Sequence, residues 1–144
     1  DELEILISTN KGSSYESLKK IASGGEMSRI MLAVKSILSN YSKLPTIIFD
    51  EIDTGVSGEV SNRIASVMDK MSNNMQVIAI THLPQMAAKG KHHYKVYKTE
   101  NINSTITNIK YLNKTERIEE LAEMLSGKEL VESALLHAKQ LLNQ

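Results

Sequence analysis

The chain contains no cysteine. That excludes a disulfide framework and suits a reducing compartment such as the cytoplasm. It also has no net charge, because 17 basic side chains balance 17 acidic ones. Any contact with DNA would therefore come from a local patch or from another part of a longer protein. No apolar run approaches the roughly 18 residues of a membrane-spanning helix, and no signal-peptide pattern is visible. Internal repeats, low-complexity tracts and interdomain linkers are missing too. A phosphate loop of the form Gly-x-x-x-x-Gly-Lys-Ser/Thr is absent. Gly90-Lys91 has Gln85 in place of the first glycine and His92 after the lysine, and Gly127-Lys128 has Ala122 and Glu129 there. What remains is 144 residues with 41% apolar and 24% charged side chains, the balance of one globular domain rather than a disordered tract.

The order of elements carries more. Asp1-Glu2 leads directly into Leu3-Glu4-Ile5-Leu6-Ile7, whose alternation predicts a strand already under way in a segment of a longer protein. Asn10 to Ser14 form a polar loop rich in turn formers. Met27, Ile30, Met31, Val34, Ile37 and Leu38 then recur at helical spacing. After Pro45, the β-branched run Thr46-Ile47-Ile48-Phe49 predicts a strand buried on both faces, ending in Asp50-Glu51. A second helix carries Val60, Ile64, Val67, Met68 and Met71, and a second buried strand, Val77-Ile78-Ala79-Ile80, ends at Thr81-His82. Strand, helix and strand in this order imply a right-handed crossover between parallel strands. Residues 92–98 and 105–112 read as a hairpin-like pair. Two helices close the chain, one with Ile118, Leu121 and Leu125, the other from Leu130 to Leu142. The fold class is α/β.

In open α/β sheets, ligands gather at the carboxyl ends of the parallel strands. Here those ends carry Asp50-Glu51 and His82. Such a carboxylate pair can hold Mg²⁺ through water and activate a nucleophile, or it can simply begin a loop. Ser23-Gly24-Gly25-Glu26 also has two readings. It has the spacing of a capping box, as do Asn113 to Glu116 and Ser126 to Glu129. Two glycines are poor formers of a first helical turn, and they would bare the amides of a helix N-terminus to an anion.

In order and spacing, Ser23-Gly24-Gly25-Glu26, Phe49-Asp50-Glu51-Ile52-Asp53 and Thr81-His82 resemble the C-terminal half of an ABC-type ATPase head. The correspondence is with the signature loop, the Walker B strand with its D-loop, and the H-loop. More narrowly, Ile48 through Gly58 and Thr81 through Ala87 resemble the RecN family of DNA repair ATPases. ABC transporters usually carry proline after the catalytic glutamate and Ala-Leu-Asp in the D-loop, and SMC heads usually keep Ala-Leu-Asp. This chain has Ile52 and Thr54-Gly55-Val56.

The resemblance implies one domain over residues 1–144, the C-terminal lobe of a three-layer P-loop NTPase with a mostly parallel sheet flanked by helices. The Walker A half and a coiled coil would lie upstream. It implies that Asp50 holds Mg²⁺ through a water, that Glu51 polarises the attacking water and that His82 contacts the γ-phosphate. Asp53, Thr54 and Gly55 would lie along a dimer seam. Ser23, Gly24 and Gly25, with Glu26 capping the helix, would grip the nucleotide of a second head in a homodimer. ATP and Mg²⁺ would both require the upstream half as a partner. DNA would be a partner of the full-length protein, which is expected in the cytoplasm at the nucleoid. The rival readings are a non-catalytic interaction module and a head fragment of another SMC-like ATPase. The densest basic stretch, Lys89, Lys91, His92, His93, Lys95 and Lys98 with Tyr94 and Tyr97, reads as a lysine-protected edge strand in preference to a DNA contact.

Overall fold

Thr46, Ile47 and Ile48 are β-branched and stiff at χ1, and they open an extended segment whose Ile47 and Phe49 join the first apolar cluster. The computed structural model describes residues 4, 6–8, 12, 14–17, 24–39, 41, 44–50, 52–101, 104–127 and 131–143. A two-residue antiparallel pair, β1 (Leu6–Ile7) and β2 (Glu16–Ser17), comes first. Leu3 and Ile5 of the expected first strand, and Asn10, Lys11 and Ser13 of the expected loop, lie outside the described residues. Then follow α1 (Gly24–Leu38), β3 (Thr46–Asp50), α2 (Gly58–Met71) and β4 (Gln76–Ile80). β3 and β4 pair in parallel, from Thr46 opposite Gln76 to Asp50 opposite Ile80. The chain ends with α3 (Pro84–Lys89), the antiparallel hairpin of β5 (Tyr94–Asn101) and β6 (Ser104–Tyr111), α4 (Lys114–Ser126) and α5 (Glu132–Leu142).

One apolar cluster joins Leu32 of α1, Ile47 and Phe49 of β3, Ile64 and Met68 of α2, and Met86 of α3. A second joins Ala88 of α3 to Leu121 and Ala122 of α4 and Ala134, Ala138 and Leu141 of α5. The six-residue α3 therefore stands in both clusters. Pro84 sets its first turn, and the guanidinium of Arg117 closes its far end. One nitrogen, Nη2, donates to the carbonyls of Ala87 at 3.3 Å, Ala88 at 2.7 Å and Gly90. Carbonyls at a helix C-terminus have no intrahelical partner, and a cation there meets both that need and the dipole.

The expectation that β3 and β4 are buried on both faces is corrected. Ile47 and Phe49 are buried, whereas Ile48 is 62% exposed and Ile78 and Ile80 are 42% and 51% exposed. Side chains alternate across a strand, so α1, α2 and α3 cover one face, and no layer covers the other among the described residues. The sheet is likewise smaller than expected: among the described residues one parallel pair stands beside two antiparallel pairs.

The expected capping box at Asn113 forms in full. Asn113 Oδ1 accepts from the amides of Thr115 and Glu116, and Glu116 Oε2 accepts from the Asn113 amide. The other was expected at Ser126, and its Glu129 lies outside the described residues. Ser126 is the last residue of α4 and its hydroxyl donates backward to Ala122 O at 2.9 Å. Gly127 at φ +80° then leaves the helix in a conformation that favours glycine.

The hairpin is tied to α4 by charge. Lys95 and Lys110 lie directly opposite each other, a repulsive placement that α4 resolves. Lys95 Nζ donates to Glu120 and to Glu123, the latter at 2.9 Å, and Lys110 Nζ donates to Glu116 at 2.6 Å. The bond to Glu120 leads in holding the Lys95 ammonium above its ordinary range. Lys95 thus fastens the hairpin inward. Beside it, burial, assisted by Arg117 and Lys95 and opposed by Glu120, holds the His93 imidazole below its ordinary 6.5. The unfolded chain therefore takes up that proton first as pH falls. Stability is expected to decline from about pH 7.5 and to level off once the folded imidazole is also charged. Urea denaturation across this range should show His93→Gln with a flatter profile than the parent.

Candidate functional site

Because β3 and β4 run in parallel, both carboxyl ends reach the same edge, and Asp50 stands exposed there opposite Ile80. The chain then makes a tight turn over residues 52–55. Ile52 anchors it in the core, the amide of Val56 bonds back to Asp53 O at 3.3 Å, and Gly55 takes φ +72°. A Cβ at that φ is disfavoured by sterics, so the turn itself asks for glycine at 55.

This turn directs Asp53 inward. Its side chain is wholly buried, and Oδ2 accepts from the Thr81 hydroxyl and from the His82 amide at 3.2 Å. His82 Nδ1 lies 3.5 Å from the same oxygen, while the His82 side chain as a whole is 66% exposed. Thr81 Oγ1 in turn accepts from the Leu83 amide at 3.0 Å, which shapes the entry to α3. A buried carboxylate is costly unless donors surround it, and here the donors come from the end of the neighbouring strand. Asp53 is expected, with Thr54 and Gly55, along a dimer seam. The structure places its carboxylate inside, because the turn points it at Thr81 and His82.

The start of α1 meets the same turn. A Cβ built on Gly25 would stand 2.8 Å from the carbonyl oxygen of Thr54 and 3.1 Å from Arg29 Nη1. The space that glycine leaves at position 25 is thus already occupied by this chain's own backbone. Close packing of α1 on the turn therefore gives that glycine a structural reason beside the anion-clearing one. Ser23 and Glu51 lie outside the described residues, as do the side-chain surroundings of Gly24 and Glu26. The edge therefore gathers Asp50, the turn of Asp53, Thr54 and Gly55, the start of α1 at Gly25, and His82. Sequence reasoning named Thr81 without giving it a task. The available signal was a hydroxyl at the end of one parallel strand and a carboxylate just past the end of the other.

A fold with these features has known counterparts. No protein-family model matches the chain. A solved Smc head domain with a coiled coil and joint derived from Pyrococcus yayanosii superposes with a TM-score of 0.64 at 22% identity, over 80% of this chain and 21% of that one. A second solved chain comes from structural biochemistry of ATP-driven dimerization and DNA-stimulated activation of SMC ATPases. It gives 0.58 at 20% identity, over 82% and 70%. The fold is that of an SMC-type ATPase head.

Sequence relatives narrow the class. The chain is 47% identical over 144 residues to the DNA repair protein RecN of Bacillus subtilis (strain 168), and 49% over 142 residues to RecN of Rickettsia bellii (strain RML369-C). These alignments cover 100% and 99% of this chain. Along its whole length the chain is RecN-like, matching the C-terminal part of such proteins. It spans about a quarter of the length of these curated relatives, 25% and 26%.

The two glycines of the edge make different demands, and substitution separates them. Gly55→Ala is expected to cost about 1 kcal/mol through its backbone alone. Gly25→Ala must push aside a backbone carbonyl, so it should cost more and shift the turn that carries Asp53. Denaturation midpoints of the two variants check the order.

Proposed function

We propose that this chain is the C-terminal lobe of the ATP-binding and hydrolysing head of a RecN-like protein acting in DNA double-strand-break repair and recombination. The observation that carries this reading is the single edge on which Asp50, the Asp53 turn, the start of α1 and His82 converge. Phosphoryl transfer asks a protein for positioned charge more than for covalent chemistry. Asp50 offers a hard carboxylate oxygen of the kind Mg²⁺ takes, and would hold that ion through a water, where it neutralises charge developing on the phosphates. Glu51 polarises the attacking water. His82, exposed and restrained from behind, contacts the γ-phosphate. The N-terminus of α1, with Ser23, Gly24 and Gly25 and with Glu26 as its cap, faces the nucleotide of a second head in a homodimer. The turn of Asp53, Thr54 and Gly55 supports that helix.

The upstream half of the head supplies the phosphate loop and covers what this lobe leaves open. Ile48, Ile78 and Ile80 on the bare sheet face support that assignment, as do Met31, Val34, Ile37 and Leu38 on α1, all exposed here. DNA is a partner of the full-length protein, at the nucleoid in the cytoplasm. No described helix is long and apolar enough to cross a membrane.

Three measurements test this. Isothermal titration of the 144-residue chain with Mg-ATP should show no affinity tighter than about millimolar, roughly 4 kcal/mol. Micromolar binding would mean that the phosphate site has been misplaced. In the full-length protein, Glu51→Gln should keep nucleotide binding, lose most turnover and trap closed heads. Turnover within a few-fold of the parent would instead favour a non-catalytic interaction module.

Ser23→Arg should leave binding within each protomer intact and abolish ATP-driven closure. A simple cap would lose only about 1 kcal/mol of stability and still close. Mixing Ser23→Arg with Glu51→Gln protomers creates heterodimers with one intact and one doubly damaged site. Partial recovery of ATPase activity is the expected result. No recovery in demonstrated heterodimers would oppose independent sites or the trans assignment of Ser23.

A further inference from the structure

We infer that Asp53 is a positioning residue for His82, acting from inside the fold through the hydrogen bonds that it accepts from Thr81 and His82. This rests on the reading of His82 as the group that contacts phosphate. Three observations carry it.

The first is burial. Among the described residues, Asp53 is the one ionisable side chain in the buried class; its companions there, Ser39 and Ser61, are neutral. Its second oxygen, Oδ1, is buried with no partner among the described residues. A half-satisfied buried carboxylate is an expensive way to fill space, so its value lies in what Oδ2 does.

The second is convergence. The backbone amide of His82, at 3.2 Å, and its own Nδ1, at 3.5 Å, approach the same oxygen. One acceptor thereby bonds the backbone amide of His82 and lies beside its ring. With Nδ1 turned to Asp53, Nε2 is the nitrogen left for the exposed side. A carboxylate behind an imidazole sets which nitrogen faces outward and how the ring is oriented.

The third is the brace on either side. Thr81 donates its hydroxyl to Asp53 and accepts from the amide of Leu83, so the residues before and after His82 are held by one hydroxyl. Leu83 then leads into α3, whose Pro84 is buried. His82 is therefore fixed at its own amide, one residue before and one residue after, while its ring reaches solvent. Such preorganisation favours transition-state contact over ground-state binding.

The test uses the full-length protein that contains this chain, with steady-state ATPase kinetics, binding of a fluorescent ATP analogue and melting curves. Asp53→Asn is expected to lower kcat about 10-fold or more while nucleotide affinity holds within about 3-fold. Because it acts through His82, it should add less than about 2-fold when placed on His82→Ala. Multiplication of the two effects would mark a merely structural role and overturn the inference. A large loss in His82→Ala with none in Asp53→Asn would overturn this inference alone. No loss in His82→Ala would overturn the phosphate-contact reading and this inference with it.

If Asp53→Asn does not fold, the hydroxyl carries the test. Thr81→Val should lose turnover, and Thr81→Ser, which keeps the donor, should restore it. Equal activity in the Val and Ser variants would overturn the inference.

Discussion

A carboxylate withdrawn from water has to be met by donors, and at Asp53 those donors arrive from a different strand. That requirement ties the end of β3 to the end of β4 at the point where parallel pairing stops. It fixes the turn over residues 52–55, and the turn brings the Thr54 carbonyl against Gly25 at the start of α1. Three elements far apart in sequence are thus located by one buried acid and one missing Cβ. The proposed chemistry depends on that placement, because Asp50, His82 and the α1 N-terminus can act on phosphates only if they share an edge.

The rest of the chain keeps that edge from drifting. α3 begins one residue beyond His82 and Leu83, contributes Met86 to the cluster under the sheet and contributes Ala88 to the cluster between α4 and α5. Arg117 holds its C-terminal carbonyls from α4. The hairpin hangs on the same helix through Lys95 and Lys110, whose mutual repulsion is offset by Glu116, Glu120 and Glu123. The basic stretch that could have been a nucleic-acid contact therefore spends its central lysine on an internal tie. Among the described residues the opposite sheet face has no such support.

Local signals were read well wherever neighbours alone decide the outcome. The 3.6-residue spacing of apolar side chains marked α1, α2, α4 and α5, and the β-branched runs marked β3 and β4. Asn113 with Glu116 marked a helix start, because both partners of a capping box lie within one turn. Ser126 with Glu129 had the same letters, yet Ser126 ends a helix. Gly127 leaves α4 there, so Ser126 sits at a helix end and bonds backward. Burial of β3 and β4 was overestimated for a related reason: an apolar run records what a strand can bury, not whether a covering layer lies within the same segment.

Order and spacing of motifs were enough to place this chain among RecN-like heads, because each motif is a contiguous string whose chemistry is written in its own residue types. The tasks of individual residues within those strings depended on three-dimensional proximity. The packing demand on Gly25 is invisible until the Thr54 carbonyl is found 2.8 Å from where its Cβ would be. The sequence places Asp53 in a loop past β3, and only the folded turn aims its carboxylate at Thr81, 28 residues away. Periodicity and capping are properties of one chain segment and survive in one dimension. A close approach between backbones, or a donor that crosses from one strand end to another, exists only after the segments have packed.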